Sequence, residues 1–303
     1  MNIRLILKLA AVAGVLTAIS LWMGRLAYRW LPAPASAEAL LIDDLFSLMT
    51  TLGSFIFFGV TGTLLYSVLF QRAGKYDESD GPPIEGNVTL ETVWTVIPIL
   101  LVIWIAAASY RAYDQMSVLG PMEHIHMGLG QAIAAPLDLA QASAQPESIE
   151  VHARQWVWEF YYPEQGITST ELHLPRDRRI KLALTSEDVV HGFYIPAFRL
   201  KQDVIPGRAI DFEFTPILEG KYRLRDSQYS GTYFAAMQAD VVVESPTAYE
   251  QWLQRSAAAT PQPGLNPAYA EYQLKVENRG RPGWKTVEPA PSPLVNYVGS
   301  AGA

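Results

Sequence analysis

The first third of the chain alternates long apolar runs with short charged ones. Leu5–Met23 is apolar except for Lys8, and it lies between Arg4 and Arg25. Leu45–Phe70 has no charged residue over 26 positions, and Thr92–Tyr110 has none over 19 before Arg111. A helix needs about 20 apolar residues to cross a bilayer, so the second and third runs predict membrane spans. The first run fits two readings. Its basic start, apolar middle and downstream Ala33-Pro34-Ala35 or Ala35-Ser36-Ala37 have the shape of a cleaved signal. Its length of 19 residues, and the distance to those small residues, favour a retained first span.

Details within the runs agree with membrane helices. Trp94 and Tyr110 lie near the ends of the third run, where amphipathic rings prefer the interface. Pro98 falls near its start, a kink that membrane helices absorb. Gly53, Gly59 and Gly62 in the second run predict close helix packing. Gln71–Asn87 reads as a polar turn between antiparallel helices. Arg4 and Lys8, Arg25 and Arg29, and Arg72 and Lys75 give each flank two basic residues, so charge counting sets no orientation.

After residue 148 the period changes. Ile149–Ala153, Trp156–Tyr162, Ile180–Leu184 and Ala209–Phe214 alternate apolar and polar positions, with Pro163, Pro175, Pro206-Gly207 and Glu219-Gly220 between them. Short strands at this spacing predict an antiparallel β-sandwich of about 100 residues. From Ala258 onward Pro, Gly and Ala dominate, which predicts an extended arm with little structure of its own. The fold class is therefore an α+β membrane protein: N-terminal transmembrane helices, then an antiparallel β-sandwich. The divisions are 1–41 (first apolar helix and outer linker), 42–112 (helical hairpin), 113–147 (linker), 148–245 (sandwich) and 246–303 (C-terminal extension).

Composition narrows the chemistry. Of 303 residues 50% are hydrophobic, and the net charge of −7 gives no basic footprint for nucleic acid. There is no cysteine, which excludes disulfides, thiolate-held iron–sulfur clusters and thiolate copper or zinc sites. Met122-Glu123-His124-Ile125-His126-Met127 contains a His-x-His-Met cluster. Without further ligand spacing it reads as a segment resting on the membrane or a partner, not a copper site.

Three stretches carry a resemblance. They are Leu90-Glu91-Thr92-Val93-Trp94-Thr95-Val96-Ile97-Pro98, then Asp188 to Arg208, then Lys221 to Val243 with its loop Asp226-Ser227-Gln228-Tyr229-Ser230-Gly231 to Met237. Together they resemble subunit II of the haem–copper respiratory oxidases, in cyanobacterial style. The resemblance implies a cupredoxin-type sandwich outside the membrane, in the periplasm or a lumen, anchored in a plasma or thylakoid membrane. Copper-bearing members hold a dinuclear copper centre, CuA, on two cysteines, a glutamate, a histidine and a methionine of the loop, plus one upstream histidine. Here His191 and Met237 remain, while Asp226 and Ser230 stand at the cysteine positions, Gln228 at the glutamate and Phe234 at the histidine. Tyr229-Ser230-Gly231 with Phe234 and Met237 resembles the copper-free loop of quinol oxidases.

The same resemblance assigns further expectations. Trp156 matches the tryptophan where electrons enter from cytochrome c, and the alternative is a core aromatic. Gln228 replaces a ligand of an interfacial magnesium or manganese ion, and a neutral amide serves a hard cation poorly. Glu91 matches the mouth of a proton-uptake channel, and the alternative is a solvated helix end. The implied function is a copper-free, quinol-driven oxidase subunit with no metal or cofactor of its own. Haems and CuB belong to subunit I, the expected partner beside subunit III, lipid and a quinol bound through subunit I. Two alternatives stay open: a cytochrome c or plastocyanin oxidase subunit without CuA, and a membrane-anchored cupredoxin-like scaffold or copper carrier.

Overall fold

In the computed structural model, residues 3–72, 74, 76, 85–116, 146–277 and 286–299 are described. They fall into two units, one of residues 1–31 and 41–115, the other of residues 32–40 and 116–303. The His124–His126 cluster lies outside the described residues.

The first unit is helical. Helices α1 (Ile3–Ala27), α2 (Ala37–Phe70) and α3 (Val88–Met116) are each long and apolar enough to cross a membrane. α2 starts eight residues before the uncharged run because Ser36 caps it, its Oγ accepting from Ala39 N at 3.1 Å. α1 and α2 approach closely at Gly24, whose carbonyl accepts from Ser47 Oγ at 2.9 Å and where a Cβ would collide with Thr51. The small residue at the helix contact is thus Gly24. Gly53, Gly59 and Gly62 have nothing within 4 Å of a would-be Cβ among the described residues, where the close packing expected at them is not seen.

The second unit is built on two five-stranded sheets. β1 (Glu147–Arg154), β2 (Val157–Tyr162), β3 (Ile167–Ser169), β5 (Ile180–Ser186) and β8 (Ile210–Phe214) form one, in the order β3-β2-β1-β5-β8. β4 (Leu172–Pro175), β6 (His191–Ile195), β7 (Leu200–Val204), β9 (Gly220–Asp226) and β10 (Gln238–Glu244) form the other, in the order β4-β10-β9-β6-β7. β1 and β5 bury every second residue, as a strand with one face on a core must. The sandwich departs from the antiparallel expectation at one pair per sheet, β1 with β5 and β4 with β10, which run parallel. Periodicity reports which face is buried; it carries no information on the direction of the neighbouring strand.

The C-terminal extension also differs from the expected arm. α4 (Pro246–Ala257), β11 (Gln262–Pro263), α5 (Pro267–Glu277) and β12 (Leu294–Val295) form within it. Ser245 caps α4, accepting from Ala248 N, and the helix buries Tyr249, Trp252 and Leu253. Trp252 stacks on the His173 ring at 4.1 Å and meets Tyr162 edge-on at 5.0 Å. Asn296 and Tyr297 take the free edge of β3 through hydrogen bonds with Thr168. Burial of a few large rings outweighs the weak helix propensity of a Pro-rich stretch.

His173 Nδ1 lies 3.0 Å from Glu244, and Nε2 lies 3.5 Å from Glu171, an ion-pair distance without hydrogen-bond geometry. Burial works against the charged ring, but the two carboxylates outweigh it and raise its pKa. The segment 32–40 is clamped to the sandwich by Glu38, which meets Arg179 at 2.7 Å and accepts from Thr215 N. Arg179 also reaches Glu213 at 3.2 Å.

Because Trp252 fills the space beside His173 and Tyr162, Trp252→Ala is expected to cost about 3–5 kcal/mol of stability, read by denaturant unfolding of the full chain. A loss near zero would show the extension to be dispensable to the core.

Candidate functional site

The candidate positions gather at one end of the sandwich. β6 starts with His191 and β9 ends with Asp226, and the two strands pair antiparallel, with Phe193 opposite Asp226. Gly192 permits the close approach that follows. A Cβ there would collide with Ser227 Oγ and lie 2.9 Å from Gln228 N.

His191 is wholly buried. Its Nδ1 lies 2.8 Å from Asp226 Oδ2 and its Nε2 lies 2.9 Å from Asp188 Oδ1. Asp226 accepts further from Ser230 Oγ (2.7 Å) and from the backbone N–H groups of Gly192 (2.7 Å) and Gln228 (3.0 Å). Asp188 accepts from Gln155 N at 2.6 Å and Val189 N at 2.7 Å. Burial opposes charging of His191, but the hydrogen bonds to Asp188 and Asp226 prevail and its pKa is raised. Burial likewise pushes Asp188 up, and its bonds from His191, Gln155 and Val189 overcome that and hold it below the usual carboxylate range.

Gln228 turns its amide to Asp203, Nε2 donating to Oδ2 at 2.9 Å. That bond, with the Lys201 ammonium, holds Asp203 below its ordinary value. Phe234 packs edge-on against Tyr229 at 5.3 Å, and Met237 is buried in the core. Met237 O accepts from Asp226 N at 3.1 Å, closing the loop base.

Trp156 sits in the turn between β1 and β2 and is 1% exposed. Its Nε1 donates to Ser230 O at 3.1 Å and its ring meets Tyr233 edge-on at 5.1 Å. Gly231, with φ +116, lies against it; a Cβ there would stand 2.8 Å from Trp156 Cζ2. The extension lies on both neighbours of this ring. Ala290 N donates to Gln155 O at 2.6 Å, and Lys275 Nζ stands 5.0 Å over the Tyr233 ring.

Of the positions singled out from the sequence, His191 and Ser230 meet on the Asp226 carboxylate, Gln228 joins them through its backbone N–H, Met237 meets Asp226 through the backbone only, and Phe234 packs on Tyr229 instead. The sequence reading missed Asp188, Gln155 and Tyr233. Asp188 opened one of the stretches singled out, three residues before His191, and its acid-x-x-His spacing was the available signal. Glu91 lies elsewhere, in the first turn of α3, where Asn87 caps the helix by accepting from Leu90 N at 3.1 Å.

Three helices long enough to span a membrane, followed by a β-sandwich, are the architecture in which comparison with known proteins finds the class, subunit II of the haem–copper oxidases. The chain matches the cytochrome c oxidase subunit II transmembrane domain over residues 22–112 and the periplasmic domain over residues 167–245. It is 36% identical to cytochrome c oxidase subunit 2 of Synechocystis over 269 residues, 81% of either chain. It is 34% identical to that of Thermostichus vulcanus over 280 residues, 82% of this chain and 85% of the relative. It is 28% identical to quinol oxidase subunit 2 of Bacillus spizizenii over 221 residues, 71% of this chain and 63% of the relative. The chain belongs to the cytochrome c oxidase subunit II family, spans the membrane with its N-terminal helices and carries its C-terminal domain on the periplasmic side.

The family implies CuA, and the residues here do not fit it. A dinuclear copper centre needs bridging thiolates, and the chain has no cysteine. Both His191 nitrogens face carboxylate oxygens, the Ser230 hydroxyl is spent on Asp226, and Phe234 offers only hydrocarbon.

The shifts of His191 and Asp188 set a pH window. The His191 contribution is full below the ordinary histidine value of about 6.5 and is lost as pH rises through its raised folded value. The Asp188 contribution is full above the ordinary value of about 3.9 and is lost as pH falls. Thermal stability of the full chain is therefore expected to fall as pH rises above about 6.5, and His191→Gln to flatten part of that slope, His173 acting in the same direction. An unchanged slope in the variant would remove His191 from the effect.

Proposed function

We propose that this chain is subunit II of a respiratory terminal oxidase that reduces oxygen to water without CuA and receives its electrons from a membrane quinol through subunit I. The observation that carries the reading is the donor set: the positions that would hold the copper pair have no thiol, and their one imidazole is bound at both nitrogens. On this reading the haems and CuB reside in subunit I, subunit III is a further partner, and lipid surrounds the helices. The chain itself contributes assembly and a proton entry at Glu91.

Identity alone does not choose the donor. The relatives at 36% and 34% carry the cytochrome c name and the one at 28% the quinol name. That favours a second reading, in which a soluble donor such as cytochrome c delivers electrons at Trp156. The burial of Trp156, with the extension against Gln155 and Tyr233, weighs against it. A quinol arrives within the bilayer and needs no relay through the outer domain.

The deciding assay supplies the purified oxidase with reduced quinol and, separately, with reduced cytochrome c or plastocyanin. Oxygen uptake with quinol only is expected. Rapid uptake with the soluble protein and none with quinol would overturn the reading and return Trp156 to the role of entry point.

Glu91 has a simpler explanation to beat, because a carboxylate in the first turn of a helix is stabilised by the helix dipole alone. If it collects protons for subunit I, Glu91→Ala slows oxygen consumption while assembly and haem content stay normal. Full turnover in that variant would leave Glu91 a helix-end carboxylate.

A further inference from the structure

The residues that do not fit copper form a closed network of their own. A neutral imidazole has one N–H and one lone pair. His191 has a carboxylate oxygen within 2.9 Å of each ring nitrogen. If both carboxylates are ionised, a neutral ring sets a lone pair against a carboxylate in a buried site, which costs free energy with no compensation.

The surrounding donors fix the carboxylates. Oδ1 of Asp226 accepts from Gly192 N and Gln228 N, and Oδ2 accepts from Ser230 Oγ and lies 2.8 Å from His191 Nδ1. Asp188 accepts from Val189 N and faces His191 Nε2 on one oxygen, and accepts from Gln155 N on the other. The backbone N–H groups can only donate, so Oδ1 of Asp226 and both oxygens of Asp188 are held as acceptors, an arrangement suited to carboxylates facing a cation. The donors then complete a ring: the Gln155 side-chain amide and Trp156 Nε1 both donate to Ser230 O. Around the imidazole, β9 supplies Asp226, the segment before β6 supplies Asp188, β2 supplies the Trp158 edge at 6.0 Å and β7 supplies Val204 in register.

We propose that His191 is held as an imidazolium between Asp188 and Asp226, and that this ion triad takes the structural place of the metal, pinning β6, the end of β9 and the Trp156 turn to one another. The inference rests on the copper-free reading above. The raised pKa of His191 and the depressed one of Asp188 agree with it. A metal ties loops by drawing several donors to one cation, and a buried imidazolium offers the same cation with two directed bonds.

The test uses the full chain purified in detergent and labelled with 15N-histidine, whose five histidines are separated by a His191→Gln difference spectrum. At about pH 8, above the ordinary histidine value of about 6.5, both His191 ring nitrogens are expected to carry protons. Asp226→Asn is expected to return the ring to single protonation at that pH and to lower the melting temperature. If His191→Gln fails to fold, Gln at each of the other four histidines assigns the His191 signal by elimination, and the wild-type reading at that pH does not depend on Asp226→Asn folding. Copper content measured on the same sample separates the two ideas. Stoichiometric copper overturns the copper-free reading and this inference together. A copper-free chain whose His191 is neutral at that pH overturns the inference alone.

Discussion

A buried carboxylate must be paid in hydrogen bonds, and Asp226 is where the site end of this sandwich meets that demand. Four hydrogen-bonding partners from two segments, the start of β6 and the loop after β9, converge on its two oxygens. The bond from Gly192 N fixes β6 beside β9, and the bond from Gln228 N fixes the first turn of the loop. The bond from Ser230 Oγ brings round the carbonyl on which Trp156 and Gln155 close. Charge-assisted bonds of this kind are worth about 1.5–3 kcal/mol each, more than neutral ones, and within a network they are not independent. The glycines at 192 and 231 follow from the same convergence, since a side chain at either would enter space already taken.

Much of the architecture was legible in the sequence because membrane and sandwich impose simple patterns. An uncharged run of 26 residues admits few structures other than a spanning helix. Alternation such as Ile149–Ala153 identifies a strand with one buried face. What stayed hidden depends on partners that periodicity does not describe. The parallel pairing of β1 with β5 is a matter of connection. Glu38 reads as an acidic residue near a helix start, and only the folded chain puts Arg179 and Thr215 against it. The extension was misread because Pro, Gly and Ala dominate its composition while its structure rests on a few residues such as Trp252, Asn296 and Tyr297. At the site, the motif frame gave the loop positions, yet the meaning of Asp226 required seeing His191 and Ser230 on the same carboxylate.

The extension also bears on which surface is available to partners. Trp156 is buried beneath Gly231 and Tyr233, and the extension lies on Gln155 and Tyr233. Its hold there is anchored at a distance: Ala290 is tied to Asn266, just before α5, and Asn296 and Tyr297 are tied to the edge of β3. A segment fixed at both ends loses less entropy in covering a surface than a free tail would. The cover supports a donor route that does not use this face, and it is independent of the argument from missing thiolates.

These constraints explain why the copper frame would not be recovered by single substitutions. Restoring a thiolate at Asp226 would remove the acceptor for four donors and leave the others buried without partners, a cost of about 1–3 kcal/mol for each stranded group. If His191 carries a proton there, losing one flanking carboxylate leaves a charged ring half paired, and breaking a buried pair in this way costs about 3–5 kcal/mol. A second thiolate at Ser230 and an imidazole at Phe234 would still face a His191 engaged by Asp188 through Nε2. The hydrogen-bonded arrangement and a copper-binding one therefore differ by several changes that have to be made together. The bonds that hold this loop in place are the same ones that occupy the side chains a metal would need.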